Sequence, residues 1–447
     1  MIKRAFLSMI AVLILVVLVG GSYVLVARHR QKAQFDIVAE QGVQPQLGKP
    51  RRSPVPLVKI AKPVGWQRGE MPRPAAGLKV QPFATGLDHP RWLLALANGD
   101  VLVAETNAPP KPDDHQGFRG WIEQKLQQSA GANAGSANRI TLLRDTNSDG
   151  IADQRSVLLS GLNSPIGMAL VGDQLYIADT DALLRVPFRP GETKITAKPQ
   201  KVIDLPGGRI NHHWTKNVVA APDGSKLYVA VGSNSNVGER GMAVEAGRAA
   251  IWEVDPKTRN HRIYAYGLRN PVGMDWEPAT GTLWTVINER DELGSDLVPD
   301  FLTSVQFGGF YGWPWFYWGG FPDGRPTDPP PELIEETVIK PDYSVGPHTA
   351  SLGLAFAKGA KLGPAFSEGA FIGQHGSWNR DPPSGYKVVF VKFVKGRPVG
   401  KPIDVLSDFL DAKGQAHGRP VGVAIASDGG LLVADDVGNT IWRVSAS

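Results

Sequence analysis

A two-part unit recurs six times along the chain and limits the possible folds more than any other sequence feature. The first part is a short motif with Gly-Leu and Pro-x-Gly steps, seen at residues 267–274, 161–168, 86–92 and 417–423, and more loosely at 211–218 and 348–354. The second part is a turn followed by a short apolar strand, at residues 98–105, 172–179, 222–230, 279–285, 368–373 and 427–435. Six strand-forming units with glycine-containing turns are typical of a β-propeller. We therefore expect an all-β protein with a six-bladed β-propeller.

The first motif of each unit predicts a cluster of polar side chains. In a propeller the first strand of every blade lines the central channel, so equivalent positions converge on one axis. The residues that converge are His89, Arg91, Asn163, His213, Lys216, Arg269, Asn270, His348, His417 and Arg419. A channel mouth rich in Arg and His favours a polyanionic ligand, because Arg binds carboxylates through two parallel hydrogen bonds. The alternative is that these residues only solvate the channel.

The N-terminal part differs in composition from the rest. Residues 5–27 carry no charge, and this uncharged stretch is long enough for a membrane-spanning helix. A cleaved signal sequence is the alternative. Residues 28–80 are rich in Pro and Gln and carry 11 basic against 3 acidic side chains. We therefore assign residues 1–30 to an N-terminal transmembrane helix or signal sequence, 31–80 to a basic tether and 81–447 to the propeller.

Charge and cysteine content exclude several classes of function. The net charge of the chain is +5, with +2 from residues 1–27 and +8 from residues 28–80, so residues 81–447 carry −5. The excess of basic residues lies beside the proposed membrane segment, where it favours anionic lipid head groups, and it gives no support to nucleic-acid binding. The chain has no Cys, which excludes disulfides, thiolate metal sites and a Cys nucleophile.

Two further stretches are candidate binding elements. Asp145, Asn147, Asp149 and Asp153 place oxygen ligands at alternate positions around a glycine, as at the start of a calcium-binding loop. An ordinary hairpin turn explains the same residues equally well. The aromatic stretch at residues 308–321 offers faces on which a sugar or a flat cofactor stacks, or it packs the propeller.

In an extended strand the adjacent His212 and His213 face opposite ways, so we expect only one to face the channel.

Four motifs together resemble a known family. Residues 211–223, 266–273, 309–314 and 374–380 are similar to the glucose/sorbosone dehydrogenase family, especially its membrane-anchored L-sorbosone dehydrogenase-like branch. Members of this family are six-bladed propellers that use pyrroloquinoline quinone (PQQ) and Ca²⁺. The resemblance covers residues 81 to 445.

The resemblance implies roles for individual residues. His213 matches the general base, Arg269 and Asn270 match the pair over the quinone, and Arg419 matches an Arg that binds a PQQ carboxylate. Arg380 is the candidate for a basic fifth-blade contact. The loop at residues 288–292 is expected to hold Ca²⁺ through its carbonyl oxygens.

The sequence departs from the family in three places. Arg290 and Asp291 stand where soluble glucose dehydrogenases have Gly-Pro in the Ca²⁺ loop. The position of a second-blade Gln that binds PQQ falls near Leu162 and Asn163, and Val421 stands where a second last-blade Arg is expected. We expect Lys216, His348 and His375 to replace missing cofactor contacts.

The function implied is oxidation of an aldose or an aldehyde hydrate, with hydride transfer to PQQ. His213 takes the hydroxyl proton, and Arg269 stabilises charge on the quinone oxygen. The electron acceptor is expected to be a membrane quinone or a cytochrome, with the propeller in the periplasm and the anchor in a bacterial inner membrane. The alternatives are a cofactor-free binding propeller and a Ca²⁺-dependent lactonase that would use Glu105 and Asp179.

Overall fold

Six antiparallel sheets follow one another along the chain, as the six repeats predict. The computed structural model describes residues 14–15, 21–22, 26–53, 57–114 and 135–447. In chain order, from the innermost strand outwards, blade 1 contains Pro90–Ala95, Val101–Glu105, Arg139–Arg144 and Gln154–Ser160, and blade 2 contains Met168–Val171, Gln174–Ala178, Ala182–Pro187 and Gln200–Asp204. Blade 3 contains Lys216–Ala220, Leu227–Val231, Ala250–Val254 and His261–Tyr266, and blade 4 contains Pro271–Trp276, Leu283–Ile287, Pro299–Ser304 and Tyr343–Pro347.

The last two blades also recruit strands from the N-terminal part. Blade 5 contains Ser351–Phe356, Gly369–Gln374, Lys387–Val394 and Ile403–Ser407, with Arg73–Pro74 paired at its outer edge and Arg397–Pro398 beside its third strand. Blade 6 contains Pro420–Ile425, Leu431–Asp435 and Thr440–Ala446, and its outer strand is Leu78–Ala84. Leu78 pairs with Ala446 and Gln81 with Arg443, so the start of the propeller closes the ring against its end. The six-bladed all-β fold is confirmed.

The glycines of the repeat lie where neighbouring innermost strands approach one another. A Cβ added at Gly273 in blade 4 would lie 2.6 Å from the carbonyl oxygen of Leu352 in blade 5, and one at Gly422 in blade 6 would lie 2.8 Å from the carbonyl oxygen of Arg91 in blade 1. Real Cβ atoms do not come this close to backbone atoms. The repeated glycine therefore sets the spacing between innermost strands.

The second strand of each blade is buried along most of its length. In blade 4 all five residues of Leu283–Ile287 are buried, and Trp284 packs with Phe393 and Leu354 of blade 5. A strand covered on both faces reads as a continuous apolar run instead of an alternating one. This explains the uninterrupted Val, Leu, Ile and Ala stretches of the second repeat part.

The aromatic stretch at residues 308–321 packs against blade 4. Phe310, Tyr311, Trp313 and Trp318 are buried, and the stretch contains a small hairpin of Phe316–Tyr317 and Phe321–Pro322. Packing is thus the structural role of most of these rings. The structure also contains the 3₁₀ turns Met242–Glu245, Ile334–Thr337 and Pro364–Phe366.

The segment predicted as a tether lies against the propeller. We call residues 31–66 the strap; 54–56 fall outside the described residues. Gly42 forms a bridge with Ser344 of blade 4, Pro63 forms one with Ala416 before blade 6, and Trp66 donates a 2.7 Å hydrogen bond to Asp435. The basic, Pro-rich composition that prevents independent folding is therefore compatible with order when the propeller supplies the partner.

The predicted transmembrane helix falls mostly outside the described residues. Of residues 5–27, the structure describes 14–15, 21–22 and 26–27. Among the described parts of the chain, no helix has the length and apolarity needed to span a membrane.

Candidate active site

Polar residues from several blades lie at one end of the propeller. Neighbouring strands are antiparallel, so the residues before a first strand and those after a second strand lie at the same end. His213 precedes the first strand of blade 3 and Arg269 that of blade 4, whereas Asp291 follows the second strand of blade 4 and His375 that of blade 5. We call this end the catalytic face.

His213 is held in one tautomer by the loop after the second strand of blade 3. Its Nδ1 lies 2.9 Å from the Ser233 carbonyl oxygen and 3.0 Å from the Ser233 hydroxyl, which itself donates to the Ser235 carbonyl. Both partners of Nδ1 are acceptors, so Nδ1 carries the hydrogen and Nε2 keeps its lone pair. Burial, and then the charge of Arg269, hold the pKa of His213 well below its usual value. The imidazole is therefore neutral, with its lone pair at Nε2.

His212 does not point away from His213, contrary to the prediction from strand alternation. The two rings meet edge to face with centroids 4.7 Å apart. The reason is that both residues lie in a bend before the strand, which begins only at Lys216. His212 Nδ1 lies 2.9 Å from a carboxylate oxygen of Asp114, so the start of the blade 1 insertion reaches the catalytic face.

Arg269 uses all five of its N–H donors on protein acceptors. Nε donates to the Asn236 carbonyl, one Nη donates to the carbonyls of Asn288 and Glu289 at 3.2 and 2.7 Å, and the other donates to the Asn236 amide oxygen and the Asp291 carboxylate, both at 3.0 Å. The guanidinium is a fixed positive charge beside His213. It is not a side chain with spare donors.

Asp291 is the carboxylate that organises this group. Besides Arg269, it accepts a 2.7 Å hydrogen bond from the Asn379 amide and lies 3.3 Å from His348 Nδ1. Although burial opposes ionisation, Arg269 and His348 lower the Asp291 pKa to about 2. The other ring nitrogen of His348 is 3.0 Å from the Gly294 carbonyl, and contact with acceptors on both sides raises the His348 pKa despite its burial.

The loop assigned to Ca²⁺ does not fit that ion. The carbonyls of Asn288 and Glu289 accept hydrogen bonds from Arg269, so a cation there would face a guanidinium. Arg290 turns away from the channel and is fully buried, with its guanidinium bonded to Glu289 and to the carbonyls of Pro314 and Phe316. Among the described residues, no three His, Asp or Glu side chains are placed to share a metal.

The Asp145 turn is a hairpin turn at the outer side of blade 1. The Asp145 carboxylate accepts from the backbone nitrogens of Ser148 and Gly150, and the Asp153 carboxylate accepts from the Thr146 hydroxyl. The Asn147 amide donates to Asp149. These local bonds are those of an Asx turn, which favours the turn interpretation over the metal one.

A second polar group lies between blades 5, 6 and 1. Asp436 accepts a 2.6 Å hydrogen bond from Arg91 and lies 3.0 Å from His375 Nε2. Arg419 lies with its guanidinium 5.4 Å from the ring centre of Tyr386 and donates to the Ala61 carbonyl of the strap. Within the described residues, the Nε atoms of both Arg91 and Arg419 are buried without a hydrogen-bond partner. Two unused guanidinium donors in one place are suited to an anion.

Three residues that were predicted to contact the cofactor lie in different surroundings. Lys216 is fully buried, donates to the Trp214 carbonyl at 3.1 Å, and has its pKa lowered well below its usual value by burial. Arg380 is buried under the strap, where it binds Glu40 at 2.9 Å and the carbonyls of Ser295 and Pro382. Asn270 is beside His213: a Cβ added at Gly232 would meet both the Asn270 amide oxygen and the His213 Cβ.

Sequence reasoning missed four residues that shape the site, namely Ser233, Asn236, Asn379 and Asp436. Each lies in the loop that follows the second strand of its blade. The signal that identifies them is the polar run that directly follows each apolar second strand.

The two carboxylates suggested for a lactonase are separately engaged. Glu105 forms a bidentate ion pair with Arg139, with N···O distances of 2.9 and 2.8 Å. One oxygen of Asp179 accepts from the Asn163 backbone nitrogen, and burial raises the Asp179 pKa to about 7. A carboxylate-rich metal centre on the axis is therefore not formed by the described residues.

Comparisons with known proteins agree with this architecture. A family model described as TrAA12-like matches residues 130–300 and 332–447. An uncharacterized protein of Borreliella burgdorferi is 28% identical over 298 residues, covering 63% of this chain and 76% of that protein. A pyrroloquinoline quinone-dependent pyranose dehydrogenase of Coprinopsis cinerea is 23% identical over 430 residues, covering 83% of this chain. The chain spans only 54% of that dehydrogenase.

Solved structures show the same fold at low sequence identity. The PQQ domain of Coprinopsis cinerea pyranose dehydrogenase has a TM-score of 0.64 and 21% identity, covering 87% of this chain and all of that domain. A family AA12 enzyme of Trichoderma reesei has a TM-score of 0.66 and 19% identity, covering 87% of this chain and 99% of that one. Since the family model matches more than half of the sequence, the chain belongs to the TrAA12-like family, and its resemblance to the PQQ-dependent glucose and sugar dehydrogenases is confirmed.

Proposed function

We propose that this protein oxidises an aldose sugar or an aldehyde hydrate with PQQ as its cofactor and His213 as the general base. The observation that carries the proposal is the His213–Ser233 contact, which leaves a neutral imidazole with its Nε2 lone pair beside a fixed cation. Relatives named for PQQ-dependent pyranose and sugar oxidation support the same substrate class. Assignment to the L-sorbosone dehydrogenase-like branch remains a proposal.

The residues fit PQQ on two sides. Among the described residues, the buried Nε atoms of Arg91 and Arg419 have no partner, and such donors suit the carboxylates of the cofactor. Arg91 belongs to the strand that contacts Gly422, so it would compensate for Val421, where the family has a second Arg. The buried amide oxygen of Asn270, next to His213, likewise has no partner in the described part of the chain. His375 would complete the anionic side of the site through its contact with Asp436.

The chain's own residues supply position, a proton acceptor and charge. When bound, PQQ supplies the quinone that accepts the substrate hydride. His213 accepts the substrate hydroxyl proton at Nε2, while its Nδ1–H bond to Ser233 keeps the ring oriented. Arg269 contributes a preorganised positive charge near His213. No step here requires Ca²⁺, because the loop carbonyls expected to hold it are bonded to Arg269.

Membrane attachment is part of the proposal. The uncharged residues 5–27 would anchor the chain in a bacterial inner membrane, with the propeller in the periplasm and electrons passing to a membrane quinone or a cytochrome. A cofactor-free binding propeller is disfavoured by the unpaired donors of Arg91 and Arg419, which a mere solvated channel does not require.

A PQQ titration tests the function. Full-length protein in detergent is titrated with PQQ while the cofactor absorbance is followed, and a panel of aldoses and aldehydes is then added. We expect saturable binding followed by bleaching of the oxidised cofactor by at least one substrate. Absence of binding to folded protein would refute the proposal, and binding without bleaching by any member of the panel would refute the sugar or aldehyde substrate class.

A further inference from the structure

A cavity outside the site discussed above lies beside the catalytic face. It has a volume of about 440 Å³ and lies between the strap and the loop after the second strand of blade 5. Two backbone hydrogen bonds fix its walls: Ala33 donates to the Asp381 carbonyl at 2.9 Å, and Lys59 donates to the Trp378 carbonyl at 2.7 Å. The cavity is therefore built by the docked strap and does not exist on the propeller alone.

Positive charge dominates the lining. Arg28, His29, Lys32 and Lys59 face the cavity together with a single carboxylate, Asp381. Asp381 is already paired with both lysines, whereas the side chains of Arg28 and His29 have no hydrogen-bond or ion-pair partner within the described residues. The cavity thus keeps the uncompensated guanidinium of Arg28 beside the imidazole of His29, and such donors suit a phosphate group.

The place of the cavity in the sequence indicates where that phosphate comes from. Arg28 directly follows the uncharged residues 5–27, so a membrane-embedded segment there would place Arg28 at the lipid head groups. Leu57 and Val58 also line the cavity, and they offer apolar contact to the part of a lipid below its phosphate. Basic side chains close to a membrane surface attract anionic lipids.

We propose that the cavity between Arg28, Lys32, Lys59 and Asp381 binds the phosphate of an anionic phospholipid head group and so holds the catalytic face toward the bilayer. Asp381 lies two residues after Asn379, and the Asn379 amide donates a hydrogen bond to Asp291 at the catalytic face. A lipid in this cavity would therefore orient the catalytic face toward the membrane. The inference rests on the membrane attachment proposed above, and it is independent of whether PQQ binds.

Native mass spectrometry of the full-length protein in detergent tests the site without cofactor or substrate. Phosphatidylglycerol or phosphatidylcholine of equal chain length is added, and retained lipid is counted per protein. We expect one phosphatidylglycerol to be retained at least tenfold more strongly than phosphatidylcholine. Val58→Trp, which fills the cavity and keeps every charge, should abolish the preference, as should the double variant Lys32→Gln/Lys59→Gln.

The controls separate a built site from general charge attraction. Lys194→Gln/Lys198→Gln removes the same charge from exposed lysines in blade 2 and should leave the preference unchanged. A preference that survives Val58→Trp would overturn the cavity as the site. Competition by inorganic phosphate at concentrations equal to the lipid would overturn the lipid as its ligand in favour of a soluble anion.

Discussion

The Arg269 guanidinium donates a 3.0 Å hydrogen bond to the Asp291 carboxylate, and this buried ion pair occupies the loop that the family resemblance assigns to Ca²⁺. The protein thus places its own cation at the loop carbonyls of Asn288 and Glu289. Because Arg269 balances the charge of Asp291, this loop needs no metal ion for that purpose.

The ion pair predicts a stability effect. Asp291→Asn leaves Arg269 buried without its counter-charge, and breaking a buried pair in this way typically costs about 3–5 kcal/mol. Urea denaturation followed by Trp fluorescence should show this loss. Asp408→Asn, which breaks the exposed pair with Arg73, is the matched control and should hardly move the midpoint. Equal losses in the two variants would contradict a special role for Asp291.

His213 should be required for turnover and not for cofactor binding. His213→Ala removes the proton acceptor, and loss of a general base lowers kcat by about 10²–10⁴-fold. The Kd for PQQ, measured by absorbance titration, should stay within about threefold of wild type because the anionic side of the cofactor is held elsewhere. His261→Ala, at an exposed ring stacked on Trp252, should leave both values unchanged. Near-normal kcat in His213→Ala would remove the proposed base.

The two unpaired arginine donors predict where PQQ binding is lost. Arg419→Gln and Arg91→Gln each remove a charged partner of a carboxylate, and such hydrogen bonds contribute about 1.5–3 kcal/mol. The Kd for PQQ should therefore rise by roughly tenfold or more in either variant. Arg189→Gln, at an exposed position of blade 2, serves as the control. If both site variants bound PQQ like wild type, the carboxylates would have to lie elsewhere.

Glu40 should make the attachment of the strap depend on pH. Burial raises the pKa of Glu40 to about 8, although Arg380 opposes the shift. Because this folded-state pKa lies above the value of 4.5 for a free Glu, its stabilising contribution is fully present below pH 4.5 and is lost as the pH rises toward 8. Urea midpoints of wild type should therefore fall more between pH 5 and pH 8.5 than those of Glu40→Gln.

The control for this pH effect is Glu332→Gln, at an exposed position, which should follow wild type at both pH values. Limited proteolysis should cut within residues 31–66 faster at pH 8.5 in wild type than in Glu40→Gln. Parallel pH dependence of wild type and Glu40→Gln would show that other groups control the strap.

The number of blades and the order of their strands could be predicted from the amino-acid sequence. The six turn-and-strand units became the second strands, and the Gly-containing motifs became the innermost ones, because burial on both faces and close strand approach restrict the residue types locally. The motifs also predicted that His213 and Arg269 lie just before innermost strands, and the structure places them there; their catalytic roles stay predictions.

Which polar groups pair could be seen only in the tertiary structure. The partners of Arg269 come from blades 3 and 4, and those of Arg419 include Ala61 of the strap and Tyr386 of blade 5. Hydrogen bonds across such sequence separations leave no periodic pattern in the chain. The same holds for the strap: its composition predicts no independent fold, and its order comes from contacts such as Glu40 with Arg380 and Trp66 with Asp435, which exist only once the propeller has formed.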